Sequence, residues 1–298
     1  MFGEVIVPVD GSALSARALG PGAALARARD AALTAVSYTS DWNHDQLKEA
    51  IATQCSTVDA PGLSMIVEPA GPGIVTRLAE LVEARPSALV VMSTIGRGLT
   101  GALLGSVAEA LLERTSGPAV LIGPECSTDD FQVGGTIVAG LDGSEHSEAI
   151  LPVVEEWAVA LPYEIELATV IDPDELAAAL APTDGIATDR ELVESGYVHN
   201  RARDAAEAIG RSVDFEVLHD SNPSRALVRF AEAESAAMLA LATHGRGGLA
   251  RLVMGSVSMH VVHRAPCPVL AVRPPGLEVV TSPTAHTRPT DRADAEQS

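Results

Sequence analysis

Two short motifs in this chain have residue types suited to holding a phosphorylated sugar, and each occurs twice. The first is an acidic turn, Asp10-Gly11-Ser12 and again Asp142-Gly143-Ser144, each at the end of an apolar run. A carboxylate there can accept hydrogen bonds from ribose hydroxyls or from the amine of a base. The second is a glycine-bearing loop that ends in Gly-Ser. Ser93 and Gly96 lead to Gly105-Ser106-Val107, and Ala242, Gly245, Arg246 and Gly248 lead to Gly255-Ser256-Val257. Glycines let backbone amides approach a phosphate closely. A Gly-Ser at a helix start adds N–H groups, a hydroxyl and the positive end of the helix dipole. Arg97 and Arg246 can neutralise phosphate charge, with a plain surface role as the even alternative.

Each motif also has a plainer reading. Asp-Gly-Ser after a strand makes a turn. Gly-Ser before a helix makes a cap, and Ser106 to Glu109 has capping-box spacing. His244, beside the second loop, reads as a solvated side chain rather than a phosphate contact. The occurrence of both motifs, in the same order, twice, favours a ligand over turns and caps alone.

The elements that must position these residues also come in two sets. Val5 to Ser12 recurs as Ile137 to Ser144, and Leu104 to Val107 recurs as Met254 to Val257. Each set closes on an apolar strand after proline, Ala119 to Ile122 and Val269 to Val272. A repeat of about half the chain means two tandem copies of one domain. In the first copy, strands are expected at Glu4–Val9, Leu33–Tyr38, Leu63–Glu68, Ala88–Met92 and Ala119–Ile122. Helices are expected at Ser12–Arg29, Ile74–Ala84 and Ser106–Arg114. Continuous apolar strands alternating with helices indicate a parallel sheet covered on both faces. The expected architecture is α/β, with two tandem doubly wound five-stranded parallel sheets. If the first and fourth strands of each copy are neighbours, both motifs meet at the topological switch point, where open α/β sheets bind ligands. The expected domains are 1–123 and 134–273, with 274–298 a flexible tail.

Composition narrows the function. The 298 residues carry 20 basic and 40 acidic side chains, a net charge of −20. That balance argues against nucleic acid as a partner. No apolar run is long enough to span a membrane, and the first residues do not form a secretory signal. Cys55, Cys126 and Cys267 are far apart and form no CxxC pair, so a cytoplasmic location is expected, without a zinc site. Cys267 reads as a small buried hydrophobe, and Trp42 and Trp157 read as packing residues. There is no GxxxxGK[ST] loop and no general base beside a metal site, so fast catalysis is not expected.

The segments Pro8-Val9-Asp10-Gly11-Ser12, Thr243-His244-Gly245-Arg246, Gly255-Ser256-Val257 and Ala265-Pro266-Cys267-Pro268-Val269-Leu270 resemble those of the universal stress protein family. The resemblance covers both halves and implies a tandem, Rossmann-like pair of domains, similar to adenine nucleotide alpha hydrolases. It implies a stress-response or signalling protein that binds ATP, with Mg²⁺ accompanying it, and an unidentified protein partner. A nucleotide-free interaction module of the same fold is the alternative, since some members bind ATP and others do not. By the same resemblance, Asp142 and the Val170-Ile171 backbone hold ribose and base, while Gly245, Gly255, Ser256 and Val257 hold phosphates. Asp10, Ser93, Gly96, Gly105, Ser106 and Val107 are the counterparts in the first copy.

The family's loop has the form G-x2-G-x9-G-S/T. The second copy keeps nine residues between Gly245 and Gly255, with Ala242 in place of the first glycine. The first copy has eight between Gly96 and Gly105, with Ser93 in that place. The second copy is therefore expected to bind ATP more tightly. The resemblance further implies an internal pseudo-dimer through the fifth strand of each copy, with a homodimer of the whole chain as a further option. Those strands are apolar and uncharged, so leaving them as exposed edges would invite aggregation.

Overall fold

The structure is a computed structural model, and it describes residues 1–39, 44–60, 62–71, 73–95, 104–115, 117–179, 190–244 and 254–275. Gly96, Arg97, Trp42, Gly245, Arg246, Gly248 and the tail from 276 lie outside the described residues. The first half runs β1 (Glu4–Pro8), α1 (Ala13–Ala16), α2 (Leu19–Ala28), β2 (Ala32–Thr39) and α3 (His44–Cys55). It continues β3 (Ser64–Pro69), α4 (Ile74–Glu83), β4 (Ala88–Ser93), α5 (Ser106–Arg114) and β5 (Ala119–Ile122). The second half begins β6 (Gly135–Leu141), α6 (Glu145–Glu148), α7 (Leu151–Ala160), β7 (Tyr163–Ile171), α8 (Pro173–Ala179) and α9 (Arg190–Ile209). It ends β8 (Asp214–His219), α10 (Pro223–Ala233), β9 (Met238–Ala242), α11 (Ser256–Arg264) and β10 (Val269–Val272).

Within each half the five strands are parallel, in the order β3-β2-β1-β4-β5 and β8-β7-β6-β9-β10. The two sets are not separate sheets. β5 and β10 pair antiparallel, with Leu121 opposite Val269 and Ala119 opposite Ala271, so one ten-stranded sheet runs through both halves. The same pairing removes the two apolar edges, and every residue of β5 and β10 is buried.

Strand alternation explains why the apolar runs are continuous. Val5, Val7 and Val9 pack on one face, and Ile6 packs on the other. α2, α3, α7 and α9 cover the first face, and α4, α5, α10 and α11 cover the second. Both faces are buried, so no strand position on the central strands can be polar without a partner.

Three local differences from the sequence reading have plain causes. The helix expected over Ser12–Arg29 is two helices, because Pro21 has no N–H to offer the carbonyl of Arg17. The chain turns there through short bonds, Arg17 N–H to Leu14 O and Ala18 N–H to Ser15 O, before α2 begins. Helix α3 was not expected, since only Ile51 and Cys55 of its twelve residues are buried. The capping box at Ser106 does not form. Gly105 is the N-cap, and its carbonyl accepts from Glu109 N–H at 2.9 Å.

The join between halves is close. Gly123 lies against helix α11 of the other half, so that a Cβ there would sit 1.8 Å from the carbonyl oxygen of Val262. The Arg17 guanidinium donates to the carbonyls of Gly123 (3.2 Å) and Pro124 (3.3 Å), and to that of Cys126. On the other side of the join, the Phe2 ring meets Trp157 at 5.8 Å, and the N-terminal amine pairs with Glu156.

Candidate functional site

β1 lies between β2 and β4, and β6 lies between β7 and β9, so each half has its switch point beside its acidic turn. In the first half Gly11 takes φ +78°. The turn folds back so that Asp10 Oδ1 accepts from Ser12 N–H at 2.9 Å and from the Ser15 hydroxyl at 2.6 Å. Ser12 in turn caps α1, its Oγ accepting from Ser15 N–H at 3.1 Å. The second half repeats this. Gly143 has φ +81°, and Asp142 Oδ1 accepts from Ser144 N–H at 3.0 Å and from the Ser144 hydroxyl at 2.6 Å. The turn reading of Asp-Gly-Ser is therefore realised in both halves, and it fixes each carboxylate at the mouth of the switch point.

Removing either capping hydroxyl will show how far the turns are self-supporting. Ser12→Ala and Ser144→Ala are each expected to cost about 1 kcal/mol, the usual worth of an N-cap. Urea unfolding of the two variants against the intact chain checks this.

Opposite Asp10 stands the start of α5. Gly105 has φ −60° and ψ 142°, a conformation open to any residue, and makes no side-chain cap. Gly255 has φ −63° and ψ 158°, and a Cβ there would meet Thr243 O only at an ordinary 3.5 Å. Among the described residues, neither the backbone nor packing demands glycine at Gly255, and the backbone does not demand it at Gly105. What glycine does there is leave open the space in front of the first helical amides.

In the first half that space is a cavity of about 300 Å³. Asp10 and Ser15 line one side, and Gly105, Ser106 and Val107 line the other. Between them lie the end of β2, from Val36 to Thr39, and Ser93 to Ile95 at the end of β4. Leu78, Met92 and Leu47 supply further apolar surface. Leu47 comes from α3 and gave no sign in the sequence, whereas Leu78 belongs to the apolar stripe of α4. Tyr38 is buried, which raises its pKa, while Arg77, 5.4 Å above its ring, pulls the other way.

The second half has the same frame with different filling. Asp142, Ala242, Gly255, Ser256 and Val257 occupy the places of Asp10, Ser93, Gly105, Ser106 and Val107. Val170 and Ile171 end β7, in register with Leu218 and His219 of β8. Gly140 stands where the first half has Pro8. The side chains of Leu241 and Leu227 fill the room this leaves, 2.6 Å and 3.1 Å from where a Cβ would be. His244 is buried rather than solvated, with Nδ1 3.0 Å from Thr243 Oγ1. The matching place in the first half holds Ile95, a sign in the sequence that this position faces inward.

Two further readings of single residues hold. Cys267 is buried, which pushes its thiol up to about 11, and burial also pushes Cys126 up to about 12. Both are poor nucleophiles in that state. Trp157 is a packing residue, 1% exposed. Among the described residues, no three His, Cys, Asp or Glu side chains come together as a metal site. No helix among them is long and apolar enough to cross a membrane.

Fold and site together define a class: paired open α/β units, each with an acidic turn and a helix start at its strand-end switch point. Residues 135–273 match the Universal stress protein family. Universal stress protein Rv2005c of Mycobacterium tuberculosis is 28% identical over 291 residues, covering 90% of this chain and 96% of its own. A universal stress protein of Mycolicibacterium smegmatis is 30% identical over 200 residues, 65% of each chain. The second half thus matches the universal stress protein family, and the chain over nearly its whole length is similar to universal stress proteins. Its fold is also that of PA1789 from Pseudomonas aeruginosa, at a TM-score of 0.62 and 15% identity over 92% of this chain and 93% of that one. A universal stress protein from Archaeoglobus fulgidus matches at 0.56 and 17% identity, over 91% and 98% of the two chains.

Proposed function

We propose that the chain is a cytoplasmic stress-response protein that binds ATP at a strand-end crevice and does not turn it over rapidly. The observation that carries this reading is the first-half cavity, bounded by an acidic turn on one side and an open helix start on the other. Its volume is at the lower end for small-molecule sites and suits a nucleoside with its phosphates leading outward. The base lies against Val36 to Thr39, the ribose hydroxyls reach Asp10, and the phosphates meet the amides of Ser106 and Val107. Mg²⁺ arrives with the phosphates. Three buried free thiols fit a reducing compartment.

The cavity favours the first half as the tighter site, against the expectation from loop length, which favours the second. In the second half Leu227 and Leu241 crowd the strand beside Asp142. The second half keeps the full spacing from Gly245 to Gly255, and that is what supports the other assignment.

Calorimetric titration with ATP decides between them. Valine at Gly105 puts two methyl groups before the helix start without straining the backbone. Gly105→Val is expected to weaken binding at least about tenfold, the worth of one lost hydrogen bond to a charged group. Gly255→Val is expected to leave the tighter site intact. The reverse pattern assigns ATP to Gly245, Gly255, Ser256 and Val257. No binding at millimolar ATP means that the fold serves as an interaction module.

A further inference from the structure

Helix α3 places an amide on its inward face. Leu47, Ile51, Gln54 and Cys55 fall at helical spacing and make one stripe along the helix. Leu47 lines the first-half cavity, and Ile51 and Cys55 are buried against the core. A glutamine in such a stripe destabilises unless its amide finds partners. The Oε1 of Gln54 is buried and has no hydrogen-bond partner among the described residues. Packing alone would favour an apolar side chain there.

The other end of the amide is what Gln54 contributes. Its Nε2 donates to the carbonyl of Gly11 at 3.1 Å and to that of Ser12 at 3.3 Å. The amide can stand only this way round, because the reverse would set Oε1 against two carbonyl oxygens. The peptide unit that carries the Gly11 carbonyl also carries Ser12 N–H, which donates to Asp10 Oδ1 at 2.9 Å. A peptide unit is planar, so fixing its oxygen fixes the direction of its N–H. Gln54, that peptide and the Asp10 carboxylate form one chain of hydrogen bonds, whose members polarise one another. Gly11 has no Cβ to oppose rotation of the peptide, so the grip from α3 matters there.

The second half arranges its turn differently. There the turn serine supplies a hydroxyl to the carboxylate, Ser144 Oγ donating to Asp142 Oδ1 at 2.6 Å. In the first half the Ser12 hydroxyl donates to Ser15 Oγ at 3.3 Å instead. Helix α9, which follows β7 as α3 follows β2, holds the helix beyond the turn. Its Tyr197 hydroxyl donates to Glu148 Oε1 at 2.9 Å.

We propose that Gln54 is a positioning residue of the first-half site: it holds the Asp10 carboxylate where that group receives ribose hydroxyls, and so sets a preference for ribonucleotides over nucleotides lacking those hydroxyls. This inference rests on the ATP-binding reading above. Gln54 does not line the cavity and acts through the turn. Its effect therefore falls on ligands that use Asp10 and spares those that do not.

The test is calorimetric titration of the full chain with ATP and with a dideoxy analogue of ATP that lacks both ribose hydroxyls. All chains carry Gly255→Val, so that the first crevice alone is read. With Gln54 in place, ATP is expected to bind at least about tenfold more tightly than the analogue. Gln54→Met keeps the length of the side chain and loses both donated bonds. It is expected to reduce that ratio at least about fivefold by weakening ATP, with the analogue changed less than about twofold. Gln54→Lys returns N–H donors to the two carbonyls and is expected to recover the ratio. Thr53→Ala is the control and should change neither affinity, since that exposed hydroxyl bonds to Glu49 O of its own helix. Circular dichroism confirms that each variant folds. A role in stability alone would lower the urea midpoint and move both nucleotides together or neither. An unchanged ratio in Gln54→Met, or a ratio that Gln54→Lys does not recover, overturns the proposal and leaves the ATP-binding reading standing. Equal binding of ATP and the analogue by the chain with Gln54 also overturns it. Failure of that chain to bind ATP overturns the first-half reading itself.

Discussion

Replacing Gly123 by alanine is expected to destabilise the folded chain by about 3 kcal/mol or more, at the upper end for an overpacked site. The new Cβ would lie 1.8 Å from Val262 O. That atom is backbone in the last turn of α11, and its helix is pinned by the sheet beneath it, so it has no rotamer by which to yield. Either the end of β5 or the end of α11 must shift, and each carries part of the join. Urea unfolding should show the loss in the midpoint with little change in slope. Gly20→Ala serves as control, because a Cβ there meets none of the described residues within 4 Å. It should leave stability unchanged or raise it by about 0.5 kcal/mol. A Gly123→Ala midpoint equal to that of the intact chain would refute the close approach.

Trp157→Ala is expected to cost about 4 kcal/mol, within the range for emptying a buried aromatic site. The indole is 1% exposed and sits between Phe2, at 5.8 Å, and Tyr163, at 6.1 Å. Phe2 belongs to the first half, so the loss falls on both halves at once. Thermal unfolding should give one lowered transition. If the second half alone melts early while the first is unmoved, Trp157 does not hold the two together.

The strands were legible because both faces of the sheet are buried, so their apolar runs stand out without alternation. Strands at Ala88–Ser93 and Ala119–Ile122 fall within a residue of their reading for that reason. The switch-point crevice was legible because a repeat in one chain shows which turns and loops recur. What was hidden depends on contacts remote in sequence. Leu47 reaches the cavity from a helix with almost no apolar face. Gly140 stands where the first half has Pro8, and only the packing of Leu227 and Leu241 against it shows why a smaller residue is there. The continuity of the sheet was implicit in two uncharged fifth strands. Nothing local says that two apolar edges must pair with each other until both are placed.

The antiparallel pairing of β5 with β10 has a consequence for anything that reads both halves. All strands of the first half point one way and all those of the second point the other. The two switch points, each beside its acidic turn, therefore face opposite edges of the sheet. On the ATP-binding reading proposed above, with a nucleotide at each switch point, a bivalent compound of two tethered nucleotides gains avidity only if the tether can travel round the outside of the sheet. A strand and its loops span roughly 20 Å. On that reading, two linked nucleotides with a tether shorter than this are expected to bind no more tightly than one, which titration of the tethered pair against the single nucleotide checks.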